Sequence, residues 1–446
     1  MTGAGAPVGL ARALGRWDLV ALVLNGIVGA GIFGLPAKVH ALLGAWGIAA
    51  IAVCALIMTL VILCFAEVSS RFSETGGPYL YVREALGPFA GFETGWLLWV
   101  ARLTGICVIG NLMVQYLGFL DPALGEGTPR TLILAGTYLA LTVLHITGVK
   151  RAALVGNVIT IAKLLPLLVF VVVGLGAVEP RRLDFSVVPS NASFSNAVLL
   201  LGFAFVGWET AVVAAGELRD PRRDTPFALL VSVAIVAALY VGIQVVCVGT
   251  LPDLAGSTRP VADASRTFLG TAGATAIVAG AVVSMLGTLN GGMLTVSRLP
   301  FAMAEQGQLP AWLARVHPRY RTPVPAILLS AAIILALTLT STYVYVLTVS
   351  TIARLLVFAA TCVALPILRR PAMNRPALFT LRGGMTVPVL AVLFIAWLLL
   401  SSSMKETRDV LLCAAAGSLL FAWSRRTAAT PAASPRGAGE VDARPD

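Results

Sequence analysis

Two apolar segments of this chain are interrupted by glycine, and they lie at corresponding places in its two halves. The first spans residues 25–36 and contains Gly29 and Gly31, and the second spans residues 203–211 around Gly207. A helix in lipid must satisfy its own backbone hydrogen bonds, because the hydrocarbon holds no water. Glycine loosens a helix, so these stretches need cover from protein or from a water-filled cavity. A pair of such interruptions, one in each half, indicates the substrate site of a secondary transporter.

The composition places the chain in a membrane. Of its 446 residues, 58% are hydrophobic and only 12% are charged. Repeated apolar runs of about 20 residues are typical of helices that cross a bilayer. We therefore predict an all-α membrane protein with twelve transmembrane helices. The predicted spans are 17–39, 45–70, 89–119, 131–147, 153–177, 195–217, 227–250, 273–297, 324–342, 344–368, 384–402 and 409–424.

The distribution of positive charge predicts the topology. With the N-terminus in the cytoplasm, 21 of the 32 lysines and arginines fall on the inner side and 8 on the outer side. The other three, Arg102, Lys163 and Arg354, lie within predicted spans. This bias follows the positive-inside rule and predicts a multi-pass protein of the cell membrane with both termini in the cytoplasm. The net charge of +11 is thereby explained without nucleic acid as a partner.

The positions of the two interruptions also predict an internal repeat. They fall in spans 1 and 6, five helices apart, so a second five-helix unit would insert upside down relative to the first. The predicted domains are a cytoplasmic N-tail (1–16), a first repeat (17–177), a second inverted repeat (195–368), helices 11 and 12 (384–424) and a disordered cytoplasmic C-tail (425–446).

Several motifs resemble one transporter superfamily. They are Gly-Ala-Gly-Ile-Phe-Gly-Leu-Pro at 29–36, Gly-Gly-Pro-Tyr at 76–79, Phe-Val-Gly-Trp-Glu at 205–209, Glu-Leu-Arg-Asp-Pro-Arg-Arg at 217–223, and span 8 with its following helix at 289–310. Their order and spacing resemble the amino acid–polyamine–organocation superfamily over about residues 16 to 370. The resemblance implies a LeuT-like 5+5 inverted repeat with discontinuous helices 1 and 6, alternating access and amino acid cargo.

The polarity of the two interrupted helices predicts what they bind. A half-helix that starts near Gly31 offers free N–H groups and a positive dipole end to a carboxylate. A half-helix that ends before Gly207 offers free carbonyls to an ammonium group. We predict that the substrate carboxylate binds the backbone of Ala30, Gly31 and Ile32, and that its amino group binds the carbonyls of Ile27, Phe203, Ala204 and Val206. The alternative is that these glycines only allow close helix packing.

Further side chains are candidates for the substrate pocket. By resemblance, Phe203 takes the place of the aromatic that closes over bound substrate, whereas the alternative is an ordinary core aromatic. Trp208 flanks the interruption, and Thr104 and Asn290 are polar candidates that could instead form ordinary interhelical hydrogen bonds. Glu209 is either a gate or proton carrier, or the acceptor of a structural hydrogen bond. Arg102 and Arg354 each need a partner, for which the acids considered are Glu67 and Glu93.

Lys163 is the candidate for coupling. An ammonium at mid-membrane costs about 2.5–3.5 kcal/mol on insertion scales, so it should face acceptors inside the bundle. By resemblance, Lys163 matches a lysine that occupies the place of a sodium ion in the sodium-independent branches. Desolvation favours its neutral form, which permits proton coupling. The alternative is a side chain that extends to the interface.

These features predict a sodium-independent amino acid transporter that works as a proton symporter or an exchanger. Neutral, apolar amino acids are the favoured substrates, because a cationic one would need acidic residues in the pocket and Glu209 is the one acid expected there. The alternatives are cationic amino acids, polyamines or a non-transporting amino acid sensor. No metal or cofactor is expected, since the cysteines lack metal spacing, and no nucleophile–base pattern indicates an enzyme. The sequence leaves the oligomeric state open.

Overall fold

The computed structural model describes residues 15–72, 77–147, 164–209, 212, 220–373 and 375–428. The regular structure that these residues form is helical throughout. The helices with described bounds are α1 Arg16–Ile27, α2 Ala30–Leu43, α3 Gly47–Ser69, α4 Pro78–Leu86, α5 Pro88–Leu117, α6 Gly127–Thr147, α7 Leu164–Leu175, α8 Asn191–Gly202, α9 Pro221–Thr250, α10 Pro260–Glu305, α11 Val324–Thr340, α12 Tyr343–Leu368, α13 Thr386–Leu400 and α14 Met404–Ala428.

Six helices in the described part of the chain are long and apolar enough to cross a membrane. The number rises to seven if α13 and α14, between which the chain bends by 115°, form one span. The helices α7, α8 and α11 are apolar but shorter. A break inside a span leaves two halves below the length of about 20 residues that a bilayer requires. The prediction of twelve spans therefore stays a prediction.

The first predicted interruption is a break between α1 and α2. Helix α1 ends at Ile27, and Val28 takes an extended conformation with φ −73° and ψ 93°. Gly29 follows with φ −143° and ψ −149°, and α2 begins at Ala30. The chain thus leaves the helix for two residues inside the apolar segment that the sequence marked.

The second predicted interruption follows α8. A short 3-10 turn runs over Phe203–Phe205, and Val206 is extended with φ −88° and ψ 166°. Gly207 then has a φ of 113°. Residues with a side chain rarely adopt this backbone conformation, so glycine is required here for conformational reasons alone.

Helix α5 is the centre of the packing that surrounds the breaks. It contacts α4, α10, α11, α12 and α14, whereas α9 packs against α1 and α3, and α8 packs against α2 and α3. Large apolar side chains on α6, α7 and α14 point outward, including Leu139, Val172 and Leu419. Apolar surface on the outside of such a bundle suits lipid rather than water.

Helix α10 extends beyond the span predicted for it. The sequence placed span 8 at 273–297, but α10 continues through Pro300 to Glu305. Its N-terminal part bends at Gly270, where φ is 67° and ψ is −170°. After this bend, α10 passes α5, where Gly292 lies against Ile106.

Candidate functional site

A cavity of about 340 Å³ lies between the two breaks and the helices α5, α10 and α12. Ile27, Ala30 and Gly31 line it from the first break, and Phe203 and Val206 line it from the second. The cavity therefore contains five of the residues that the sequence predicted for substrate binding. It is large enough for a small organic ligand.

The opposite wall is a single face of α5. Arg102, Gly105, Ile106 and Ile109 all line the cavity. Their spacing of three, four and seven residues places them on the same side of a helix. Helix α10 adds a narrow strip of small residues, among them Thr288. The cavity wall is thus mostly glycine and aliphatic surface, with Arg102 as the charged group on the α5 side.

The two breaks are in direct contact. A Cβ atom placed on Gly207 would lie 2.2 Å from the carbonyl oxygen of Gly26. A Cβ atom placed on Gly31 would lie 2.5 Å from the Cα atom of Ala204. These glycines therefore do allow close backbone packing, which was the alternative explanation for them. Because Gly31 and Gly207 also line the cavity, close packing and a ligand site coexist here.

Tyr240 on α9 connects the breaks from behind. Its side chain is fully buried, and its hydroxyl oxygen lies 3.1 Å from the carbonyl oxygen of Ile27 and 3.1 Å from that of Ala204. The hydroxyl has one proton, so the two carbonyls share one donor. Both carbonyls were predicted to bind the substrate amino group, and each keeps a second lone pair for another donor.

The N-terminus of α2 forms the positive end of the site. Ala30, Gly31 and Ile32 are its first three residues, whose N–H groups have no acceptor within the helix. The helix dipole adds partial positive charge at the same place. Ala30 and Gly31 reach the cavity wall, whereas Ile32 is buried beside it. At the second break, the carbonyl of Phe203 lies 3.5 Å from the N–H of Val206.

An ion pair borders the same cavity. Arg354 on α12 donates to the carboxylate of Glu209, which also accepts the N–H of Gly207 at 2.5 Å. Both charged side chains line the cavity, and Glu209 is almost fully buried. Arg354 was left without a partner by the sequence, because 145 residues separate it from Glu209. This pairing joins the second break to α12.

The acids that the sequence considered as partners for the two arginines lie elsewhere. Glu67 pairs with Arg71 and Arg369, and Glu93 accepts a hydrogen bond from Ser418 at 2.8 Å. Arg102 has no carboxylate within 4.0 Å among the residues that the structure describes. It borders the cavity beside the Glu209–Arg354 pair without forming an ion pair of its own.

Three other predicted pocket residues lie off the cavity wall. Trp208 is buried between Phe65 and Phe358, with ring centroids 4.7 and 4.9 Å away, so it packs into the core. The hydroxyl of Thr104 donates to the carbonyl of Val100 in its own helix, at 2.8 Å.

The third of these residues is Asn290 on α10. Its carbonyl oxygen lies 3.0 Å from Nε2 of His145, and its side-chain oxygen is buried. Lys163 lies outside the described residues. Within those residues, no group of three or more histidine, cysteine, aspartate or glutamate side chains could hold a metal ion.

Comparison with known proteins gives consistent matches over most of the chain. The sequence model of one family, described as amino acid permease, matches residues 14–412. An uncharacterised transporter of Mycobacterium tuberculosis is 32% identical over 339 residues, which is 75% of each chain. The serine/threonine exchanger of Bacillus subtilis is 30% identical over 86% of this chain and 89% of its own length. The mouse Asc-type amino acid transporter 1 is 32% identical over 90% of this chain and 78% of its own.

Proposed function

The chain belongs to the amino acid permease family, and we propose that it carries α-amino acids across the cell membrane by alternating access, without sodium. It is a membrane transporter by family, not an enzyme. The finer proposal rests on one observation, which is the cavity between two broken helices of opposite polarity.

The chemistry of this cavity matches the two charges of an amino acid. The first turn of α2 offers N–H groups and a positive dipole end, which suit the α-carboxylate. Backbone carbonyls at the breaks present partial negative charge, which suits the α-ammonium group. They belong to Ile27, Phe203, Ala204 and Val206. A zwitterion is thus held by backbone groups, which leaves the side chain of the substrate to face α5, α10 and α12.

The proposed architecture follows from the same breaks. We propose twelve spans in a LeuT-like 5+5 inverted repeat, with the repeats at 17–177 and 195–368, helices 11 and 12 at 384–424, and both tails in the cytoplasm. The two breaks lie in corresponding positions of these units, which supports the repeat. Phe203 and Glu209 are proposed as gating groups, since one lies on the cavity wall and the other pairs across to α12.

The Glu209–Arg354 pair narrows the substrate class. A cationic amino acid or a polyamine would need a free carboxylate in the pocket, but Glu209 is already engaged by Arg354. The proposed cargo is therefore an amino acid whose side chain carries no positive charge. Neutral and acidic side chains both meet this condition. The neutral side chains expected from the sequence agree with the name of the serine/threonine relative.

Counterflow tests the proposed function. The purified protein is reconstituted into liposomes, loaded with one unlabelled amino acid and supplied with labelled amino acids from a panel of twenty. We expect sodium-independent accumulation of a subset of them. Repeating the assay with and without a pH gradient distinguishes proton symport from exchange. Binding without any counterflow would exclude transport and favour an amino acid sensor.

Lys163→Ala tests the proposed coupling residue. An uncharged residue at this position should lower transport or remove its dependence on a pH gradient, because the ammonium is proposed to replace a sodium ion. Counterflow and detergent-phase thermal unfolding are measured together. Wild-type rates and an unchanged pH response in a folded variant would rule out this role for Lys163.

A further inference from the structure

Arg102 is a positive charge in the middle of the bundle that the proposed binding of the amino acid backbone does not use. It lies on the cavity-facing side of α5, one turn from Gly105 and Ile106. No carboxylate of the described residues lies within 4.0 Å of it. A charged side chain at this depth is costly, and it normally faces a partner or a water-filled space that serves function. The space that Arg102 faces is the substrate cavity.

The charges around the cavity do not balance. Among the residues that the structure describes, the charged side chains that line it are Arg102, Arg354 and Glu209. Glu209 offsets Arg354, with which it forms an ion pair. Within the described part of the chain, these three groups leave a net positive charge of one, and Arg102 holds no ion pair of its own. The dipole of α2 adds partial positive charge at the first break. An anionic group on the ligand would supply the missing partner and would regain part of the cost of desolvating the guanidinium.

We propose that the preferred substrate is an amino acid with a carboxylate in its side chain, and that Arg102 is the residue that selects it. This inference rests on the proposed function. The α-carboxylate occupies the N-terminus of α2, and the side-chain carboxylate reaches across the cavity to Arg102 on α5. A guanidinium suits this task because its planar array of donors matches a carboxylate.

The position of the arginine supports this assignment over a merely structural role. On α5, the residues beside Arg102 in the cavity wall are Gly105, Ile106 and Ile109, which carry no charge. The nearby charged groups are Arg354 and Glu209, and these two are paired with each other. A purely structural arginine would be expected in an ion pair, as Arg354 is with Glu209 and Arg369 is with Glu67. Selection by charge also needs a wall that binds little else, since specificity is a difference between affinities.

One other use of Arg102 involves the same ligand chemistry. The guanidinium could bind the α-carboxylate itself, in which case every amino acid would profit equally. The two cases differ in what happens when the charge is removed. A group that selects the side chain affects acidic amino acids alone, whereas a group that binds the backbone carboxylate affects acidic and neutral ones alike.

The test uses the full-length protein in liposomes and in detergent, with L-glutamate and L-leucine as probes. Arg102→Met removes the charge and keeps much of the side-chain length. Arg266→Met is the matched control, because Arg266 is exposed outside the cavity. Each protein is assayed by counterflow and by the stabilisation that each amino acid gives against thermal unfolding.

We expect the unaltered protein to prefer L-glutamate to L-leucine. A hydrogen bond to a charged group contributes about 1.5–3 kcal/mol, so Arg102→Met should weaken L-glutamate binding about 10- to 100-fold. Binding of L-leucine should stay the same or improve, and Arg266→Met should change neither.

A preference of the unaltered protein for L-leucine would overturn the inference without needing any variant. An equal loss for both probes in Arg102→Met would overturn it too, and would assign the α-carboxylate to Arg102. Counterflow of leucine with no glutamate binding would sink this inference while leaving the proposed function intact. Stabilisation by glutamate that depends on Arg102, without counterflow of any amino acid, would support this inference and exclude the proposed transport.

Discussion

Two buried glutamates, Glu67 on α3 and Glu209 after the second break, occupy very different surroundings. Glu67 is 1% exposed and accepts hydrogen bonds from Arg71 at 2.7 Å, from two nitrogens of Arg369 at 2.8 and 2.6 Å, and from the N–H of Leu381 at 2.9 Å. A carboxylate has about four lone-pair sites, so Glu67 has no capacity left.

Glu209 is 2% exposed, and its donors include the Arg354 guanidinium and the N–H of Gly207. It borders a cavity, and a second cation, Arg102, lines that cavity without a carboxylate of its own. The hydrogen-bond network around Glu67 is therefore saturated and enclosed, which we call closed. The network around Glu209 borders a cavity and a further cation, which we call open.

This contrast indicates where charge can be rearranged in this protein. Glu67 ties the end of α3 to the end of α12 and to the segment that leads into α13. Breaking a saturated buried network costs stability, because every donor is stranded. An incomplete network beside a cavity can exchange partners with a ligand. We therefore expect changes around Glu67 to affect folding and changes around Glu209 to affect transport.

Glu67→Gln should have the largest effect on stability. Arg71 and Arg369 would lose their counter-charge, and removal of one partner from a buried ion pair costs about 3–5 kcal/mol. Thermal unfolding in detergent measures this loss. Glu179→Gln is the control, because Glu179 pairs with Arg181 at an exposed site and should change stability little. A folded Glu67→Gln protein with normal stability and impaired counterflow would break the comparison.

Glu209→Gln should give the opposite result. The cavity beside Arg354 admits water or ligand, so the unfolding temperature should fall less than in Glu67→Gln. The counterflow rate should fall about tenfold or more, corresponding to about 1.4 kcal/mol in the barrier, because the ion pair between the break and α12 is lost. The two variants are compared side by side in both assays. Equal losses of stability would mean that both glutamates serve the same purpose.

Substitution of the two glycines of the first break separates packing from binding. Gly31→Ala places a methyl group 2.5 Å from the Cα atom of Ala204, and such overpacking costs about 1–3 kcal/mol of stability. The methyl group of Gly29→Ala would lie 3.8 Å from Cγ2 of Thr288 and 3.9 Å from the carbonyl oxygen of Ile27, which are ordinary contacts. This substitution should leave the unfolding temperature unchanged while lowering substrate affinity about tenfold, since its methyl group enters the cavity. Unaltered affinity in Gly29→Ala would move the carboxylate site away from this break.

Tyr240→Phe should have the smallest effect. The hydroxyl shares one proton between the carbonyls of Ile27 and Ala204, and an interhelical hydrogen bond in a membrane contributes about 0.6 kcal/mol on average. Stability should therefore fall by about that amount, with a modest change in counterflow. A loss of transport as large as that of Glu209→Gln would mean that Tyr240 on α9 also takes part in transport.

The sequence predicted the parts of this site that depend on local chemistry. Glycine runs near residues 29 and 207 interrupt apolar segments, and the helices break at Val28–Gly29 and at Val206–Gly207. The all-helical character follows in the same way from apolar runs of sufficient length. These features can be recognised from neighbouring residues along the chain.

The sequence could not predict which distant residues meet. Tyr240 lies in an apolar helix without any motif, yet it bonds to Ile27, 213 residues away. The Glu209–Arg354 pair likewise depends on the relative placement of two helices. Trp208 was expected in the pocket because it adjoins the break, but the positive φ of Gly207 precedes it and its ring lies in the core. Backbone direction after a glycine is not readable from residue type alone.

The contact between the breaks has a mechanical consequence. Gly207 lies against the backbone of Gly26, and Gly31 lies against that of Ala204. The hydroxyl of Tyr240 bonds to backbone carbonyls of both breaks. Pulling one broken helix away from the other would strand backbone groups that now pack against each other inside the bundle, which is costly. We therefore expect the pair to move as a single rigid piece. Any opening of the cavity has to part the seams where this piece meets α5, α10 and α12, and the Glu209–Arg354 contact is the latch across one of those seams.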